Sequence, residues 1–274
     1  MPELIAEMFS YPFMVRALVV GTLLALCSSL LGVTLVLKRF AMIGDGLSHV
    51  GFAALALASA MHMLPLALSI PVVVLAAFVL LHMESRGKMA GDAVLALFST
   101  SALAIGVMTV SLTTGMNTDV CNYLFGSILS MGKSDVILSC VVAGAVLIAF
   151  VLCYNRIFAV VFDEGFARAT GLHTGWYNTF LAIMVALVIA LGMRMMGALL
   201  ISSLIVFPAL TSMQVCKKFR AVVLSSTIIA VLCLWAGIFC SYTFATPTGA
   251  SIVMCNLACF LGYKVFALAC RRKS

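Results

Sequence analysis

The chain has 274 residues, of which 64% are hydrophobic and only 9% charged; a soluble domain carries about 25% charged and roughly 45–50% apolar residues. That balance excludes a soluble globular enzyme and indicates a polytopic membrane protein. The net charge of +7 gives no argument for a nucleic-acid partner, because in a membrane chain what matters is where the basic residues fall.

A helix needs about 20 apolar residues to cross a bilayer core, and the sequence offers such runs one after another. No cleavable signal peptide is expected, since Glu3 and Glu7 stand where a basic region would be and the apolar run that follows is too long for a signal core. The predicted spans cover 13–37, stopped by Lys38-Arg39, then 43–61 and 64–83, the last with Pro71 as a kink. A charged turn, Glu84-Ser-Arg-Gly-Lys88, closes the third. The fourth covers 90–114, with Asp92 near its start, and a half-polar connection holding Tyr123-Leu-Phe-Gly-Ser-Ile-Leu129 follows. The fifth covers 136–154. After the longest polar interruption, 155–174, come 176–192, 196–215 (kinked by Pro208), 219–244 and 248–270. The fold class is therefore all-α: one transmembrane bundle over 1–274, with nine spans, or eight if the second is only a half-helix. Ten cysteines are present, but no CxxC pair occurs. Those in apolar runs, such as Cys27, Cys140 and Cys233, read as small buried hydrophobes.

The basic residues support this alternation. With the Lys38-Arg39 turn cytoplasmic, the same side also receives Arg86, Lys88, Arg156, Arg168, Lys217, Lys218, Arg220, Arg271, Arg272 and Lys273. That makes twelve of the sixteen Lys and Arg, the asymmetry that cytoplasmic loops show. It puts the N-terminus outside and the C-terminus in the cytoplasm. Arg16, Arg194 and Lys264 read as interface anchors or snorkelling side chains.

Two residues stand out against this apolar background. Asp45 and His49 lie four apart, on one face of a helix about a turn from each other. An ionised carboxylate facing lipid costs about 2.5–3.5 kcal/mol on insertion scales, so such groups usually face a bundle interior or a water-filled path. Carboxylate oxygen plus imidazole nitrogen suits a divalent transition metal. The plainer alternatives are a helix cap for Asp45 and an interhelical hydrogen bond for His49. Asp45 follows Arg39 by only six residues, about 9 Å of helix. Gly44 and Gly46 therefore lead us to expect a broken or extended backbone there, lifting the pair toward the midplane.

The polar interruption has a grammar of its own. In Val161-Phe-Asp-Glu-Gly-Phe-Ala-Arg-Ala-Thr-Gly-Leu172, Asp163 can cap a short helix, Glu164 suits its positive end, and Gly171 can close it in a left-handed turn. Phe162, Phe166 and Leu172 supply an apolar face. The pattern predicts a helix docked against a cytoplasmic partner, with a helix lying on the membrane surface as the alternative.

Five stretches taken together resemble the membrane permease subunits of metal-ion ABC importers, the group handling zinc, manganese and iron. They are Lys38-Arg-Phe-Ala-Met-Ile-Gly-Asp-Gly-Leu-Ser-His49, Leu124-Phe-Gly-Ser-Ile-Leu129, Phe162-Asp-Glu-Gly-Phe-Ala-Arg-Ala-Thr-Gly171, Met196-Gly-Ala-Leu-Leu-Ile-Ser-Ser-Leu-Ile-Val-Phe-Pro-Ala209 and Thr246-Pro-Thr-Gly249, in matching order along the chain. The resemblance implies that Asp45 and His49 form a metal-coordinating gate in a bacterial cell membrane. It also implies that 162–172 is the coupling helix of a separate ATPase, with Phe162, Asp163, Glu164, Gly165, Phe166, Ala167 and Gly171 carrying the contact. The implied partners are cytoplasmic ABC ATPase subunits, an extracytoplasmic metal-binding protein and a second permease copy. Asp92 matches an acidic position opening a later helix, read as a supporting or structural residue. The chain departs from the family in having Gly46 where Ala or Thr is usual, and Leu210 where Ala often follows Pro-Ala.

No ATPase site of the chain's own is expected. A phosphate-cradling Gly-x4-Gly-Lys-Ser/Thr loop follows a strand, whereas Gly126 and Gly132-Lys133-Ser134 have five residues between the glycines and no strand before them. ATP is thus used by the partner subunit, and the only ligand expected here is the transported ion, zinc being favoured over manganese or iron. Two rivals remain: a proton-coupled secondary metal transporter, and an ABC importer of metal chelates.

Overall fold

The computed structural model describes residues 10–85, 91–113 and 133–271, with side chains at 10–80, 93–113 and 134–269. Ten helices and no strand occur among them: α1 (Pro12–Leu37), α2 (Ile43–Ala60), α3 (Pro65–Ser85), α4 (Gly91–Thr113), α5 (Lys133–Phe162), α6 (Glu164–Ala169), α7 (Thr174–Met196), α8 (Ala198–Met213), α9 (Phe219–Phe244) and α10 (Thr248–Arg271). In lipid every backbone N–H and C=O must be satisfied within the protein, which is why apolar runs of this length become helices. Seven are long and apolar enough to cross a membrane; α3 and α8 provide the two shorter apolar helices. At 16 residues, α8 spans about 24 Å at 1.5 Å per residue, less than the roughly 30 Å hydrocarbon core. The expected membrane bundle is what forms, and the second segment is a helix of full length for its run.

The bundle has an inside and an outside tier. Helices α1, α2 and α7 bury most of their residues, whereas α4, α5 and α10 bury few of theirs. Short α8 sits among α1, α2, α7, α9 and α10, and it can do so because its neighbours give it room. A Cβ on Gly32 of α1 would lie 2.0 Å from the Ile205 carbonyl oxygen of α8, so only the missing side chain lets the two backbones meet. The α7–α8 corner is a single residue, Gly197, at φ 84° and ψ 161°, a region open essentially to glycine alone. The chain folds back so sharply there that Gly192 lies against Ile201.

Two sequence expectations are corrected by the helix ends. The fifth helix does not stop at Tyr154 but continues through Phe162. Asn155 and Arg156 cost little within a helix, and Ile157 and Val160 bury one face of the extra turns; the true stop is the capping residue Asp163. The other correction concerns the glycines around Asp45. Residues 43–60 form one continuous helix, and the break lies earlier, at 38–42, where Arg39 takes a left-handed φ of 64°. Gly44 and Gly46 serve packing instead: a Cβ on Gly44 would meet Ile205 of α8 at 3.2 Å, and one on Gly46 would meet Leu95 of α4 at 3.6 Å. Segment 124–129, residues 86–88 of the expected charged turn and the Asp92 side chain lie outside the described residues.

Candidate functional site

Helix α2 carries the site because of what surrounds it. It packs against α3, α4, α7 and α8, and 13 of its 18 residues are buried. Gly46 turns toward α4 and Ser48 toward α8, where its hydroxyl lies 3.4 Å from that of Ser202. Asp45 and His49 occupy the strip between those two contacts. His49 Nε2 stands 3.7 Å from Asp45 Oδ2, and the side chains are 19% and 47% exposed respectively. They are neither sealed in the core nor spread on the surface. The pairing is across one helical turn, as the spacing predicted.

Asp45 lies in the first turn of α2 without acting as its cap, at the helix end where acidic side chains are favoured. His49 Nδ1 is buried with no hydrogen-bond partner in the chain, a cost the fold bears. Among the described residues, Asp45 makes no capping hydrogen bond and His49 Nδ1 bonds no neighbouring helix, so neither plain alternative is seen. Among the described residues no group of three or more His, Cys, Asp or Glu is placed to hold a metal. The described residues bring together two such donors, with the Ser48 and Ser202 hydroxyls on the side of α2 that faces α8. The serines were not singled out from the sequence as a pair; only their placement on two helices brings them together.

At the other candidate site the expected grammar is present in detail. Asp163 caps α6, accepting a 2.9 Å hydrogen bond from the Phe166 N–H, and Glu164 stands in the first turn, 3.2 Å from Arg168. At the far end the Leu172 N–H donates to the Ala167 carbonyl and the Gly171 N–H to that of Arg168. Gly171 has a φ of 86°; this is the Schellman closure that a left-handed glycine permits. Ala167 is fully buried against the bundle, while Phe162 and Phe166 are each 65% exposed. The residues named together from the sequence thus divide: Asp163 and Gly171 shape the elbow, Ala167 seats it, and Phe162 and Phe166 point away from it.

Three further pairings were missed in the sequence because their partners lie far apart in it. Arg194 is not a snorkelling anchor; its Nη2 lies 3.3–3.4 Å from both Asp135 carboxylate oxygens, joining α7 to α5. Lys38 donates to the Asn178 side chain of α7, which ties down the turn before Asp45. Arg156 donates to the Tyr177 hydroxyl at 2.9 Å. The motif 246–249 also finds a structural account. Ser241 bonds the Thr246 carbonyl and the Thr248 hydroxyl, closing the α9–α10 turn.

Comparison with known proteins places this architecture. The zinc uptake membrane protein ZnuB of Haemophilus influenzae is 29% identical over 89% of this chain and 94% of its own length. A probable iron transport system membrane protein of the same organism is 29% identical over 95% of this chain and 92% of its own. The manganese import permease ScaB of Streptococcus gordonii is 25% identical over 94% and 93%. A chain of PsaBC from Streptococcus pneumoniae, solved with a Fab, has the same fold, with a TM-score of 0.85 at 24% identity over 96% of this chain and 94% of that one. The model of the ABC 3 transport family matches residues 10–267, nearly the whole bundle, and the chain belongs to that family.

Proposed function

We propose that the chain is the membrane-spanning permease subunit of an ATP-driven importer of divalent transition-metal ions, with zinc favoured and manganese or iron as alternatives. The observation that carries this reading is the Asp45–His49 pair, a carboxylate oxygen 3.7 Å from an imidazole nitrogen within a bundle that is otherwise apolar. The relatives named for zinc, iron and manganese transport support the ion class. Carboxylate plus imidazole accommodates all three metals, so the choice among them is left to whatever delivers the ion.

The ion, handed over by an extracytoplasmic binding protein, meets His49 and then Asp45. Two protein donors make an incomplete shell, filled by water or by a second permease copy. An incomplete shell suits a transport site, because closed four-ligand sites are those that hold metal structurally. Energy comes from separate ATPase subunits seated on α6, where Phe162 and Phe166 enter a cleft of the partner. Helix α5 runs directly into that elbow, so a displacement of α6 tilts a 30-residue rod packed on α1 and α7. In this orientation the N-terminus is outside and the C-terminus cytoplasmic.

The test is ATPase activity and metal uptake of the reconstituted permease–ATPase complex, compared across zinc, manganese and iron. Asp45→Ala and His49→Ala should each abolish uptake of the preferred metal while the complex still assembles. Normal uptake in both variants would remove the gate assignment. Uptake that continues without ATP would instead favour a proton-coupled transporter.

A further inference from the structure

Where α5 leaves the bilayer, an open groove of about 420 Å³ lies between it and the start of α7, lined by Cys153, His173, Trp176, Tyr177 and Phe180. Neither the ion path nor the elbow uses it. Its depth follows from helix geometry. The apolar span of α5 begins at Ser134, and 22 residues later, about 33 Å along the axis, stands Arg156. The hydrocarbon core is about 30 Å thick, so this guanidinium reaches the headgroup layer. Trp176 and Tyr177 stand at the same level on α7, where aromatic rings with one polar edge collect in membrane proteins. Cys153 and Phe180 lie one turn deeper on their helices.

The groove thus changes character along its length as a phospholipid does. Arg156 is exposed and commits one N–H to the Tyr177 hydroxyl, leaving donors of its five-donor fork for a second oxyanion. His173 and Trp176 are exposed beside it. No acid is among the described lining residues; Glu164 is already paired with Arg168. One turn deeper the groove is lined by Cys153 and Phe180, apolar side chains that suit an acyl chain. We infer that the α5–α7 groove is a binding site for an anionic phospholipid, its phosphate held by Arg156 with Tyr177 and its chain lying over Cys153 and Phe180. The inference needs only that α5 and α7 cross the membrane, so it stands or falls apart from the gate and the ATPase contact.

The chain has two tryptophans, so Trp235→Phe leaves Trp176 as the sole fluorophore, at the groove itself. The full chain is reconstituted in phosphatidylcholine vesicles containing either brominated phosphatidylglycerol or brominated phosphatidylcholine at equal mole fraction, and quenching of Trp176 is read. One arginine at an anionic surface corresponds to about fivefold enrichment, so brominated phosphatidylglycerol should quench correspondingly more. Arg156→Gln should equalise the two lipids and Arg156→Lys should keep the preference, whereas Lys217→Gln with Lys218→Gln should leave it unchanged. Equal quenching in the starting chain overturns the site. So does a preference that survives Arg156→Gln or is lost in Arg156→Lys. An equal reduction from the 217/218 substitutions overturns it too, since the effect would then be a diffuse surface field.

Discussion

The start of α2 and the elbow at α6 invert the rule of their surroundings in opposite directions. In α2, a carboxylate and an imidazole are set within an apolar bundle; at α6, two phenylalanines project from a capped polar turn. Each inversion costs free energy in the isolated chain, and under the proposed function each is relieved from outside it. A half-buried donor pair suits an ion, and exposed aromatic rings suit an apolar pocket. The contrast teaches that the two sites should fail in different ways.

The largest effect separates them directly. His49→Ala should abolish metal uptake while leaving association with the ATPase intact, as read by co-purification. Phe166→Asp should abolish both, because a carboxylate placed on an apolar contact meets the full desolvation cost. Loss of ATPase association in His49→Ala, or its survival in Phe166→Asp, would break the separation between pathway and elbow.

Much of this was legible in the sequence, and the parts that were not share a cause. Nine apolar runs, the Asp45/His49 spacing and the caps at Asp163 and Gly171 are local patterns, and each reappears in the structure. The Ser48–Ser202 contact and the Arg194–Asp135, Lys38–Asn178 and Arg156–Tyr177 pairs join residues 21 to 154 positions apart. No periodicity registers such pairs. The misplaced end of the fifth helix has another origin: Asn155 and Arg156 look like a loop by polarity, yet a helix leaving the bilayer meets water without having to stop. The glycines flanking Asp45 were read as conformational freedom when they supply room for Ile205 and Leu95. Glycine alone does not say which.

That last distinction gives a second test, on stability. Gly32→Ala would put a methyl 2.0 Å from a backbone oxygen of α8, and a backbone cannot step aside as a side chain does. The cost should reach or exceed the roughly 1–3 kcal/mol of overpacking, with much lowered thermal stability in detergent. Gly46→Ala meets only Leu95 at 3.6 Å, ordinary contact. It should be neutral or slightly stabilising, by up to about 1 kcal/mol, because alanine is the better helix former. A large loss of stability in Gly46→Ala would mean that the helix around Asp45 needs the freedom after all.

The smallest effect is expected at the opposite end of α5 from the elbow. Asp135 stands in the first turn of α5 and Arg194 in the last turn of α7, so each charge already sits at the helix end whose dipole favours it. The pair is also partly open, with side chains 24% and 30% exposed. Asp135→Asn removes the mutual attraction but leaves Arg194 at a helix C-terminus, so about 1 kcal/mol or less should be lost, and added salt should shrink the difference. Thermal unfolding at low and high salt reads both. If α5 transmits motion from the elbow as a rigid rod, its outer end must still be held, and a small stability change should accompany unchanged uptake per ATP hydrolysed. Uptake that collapses in Asp135→Asn while stability holds would show that the ion pair, rather than the packing along α1 and α7, is what holds the rod's far end.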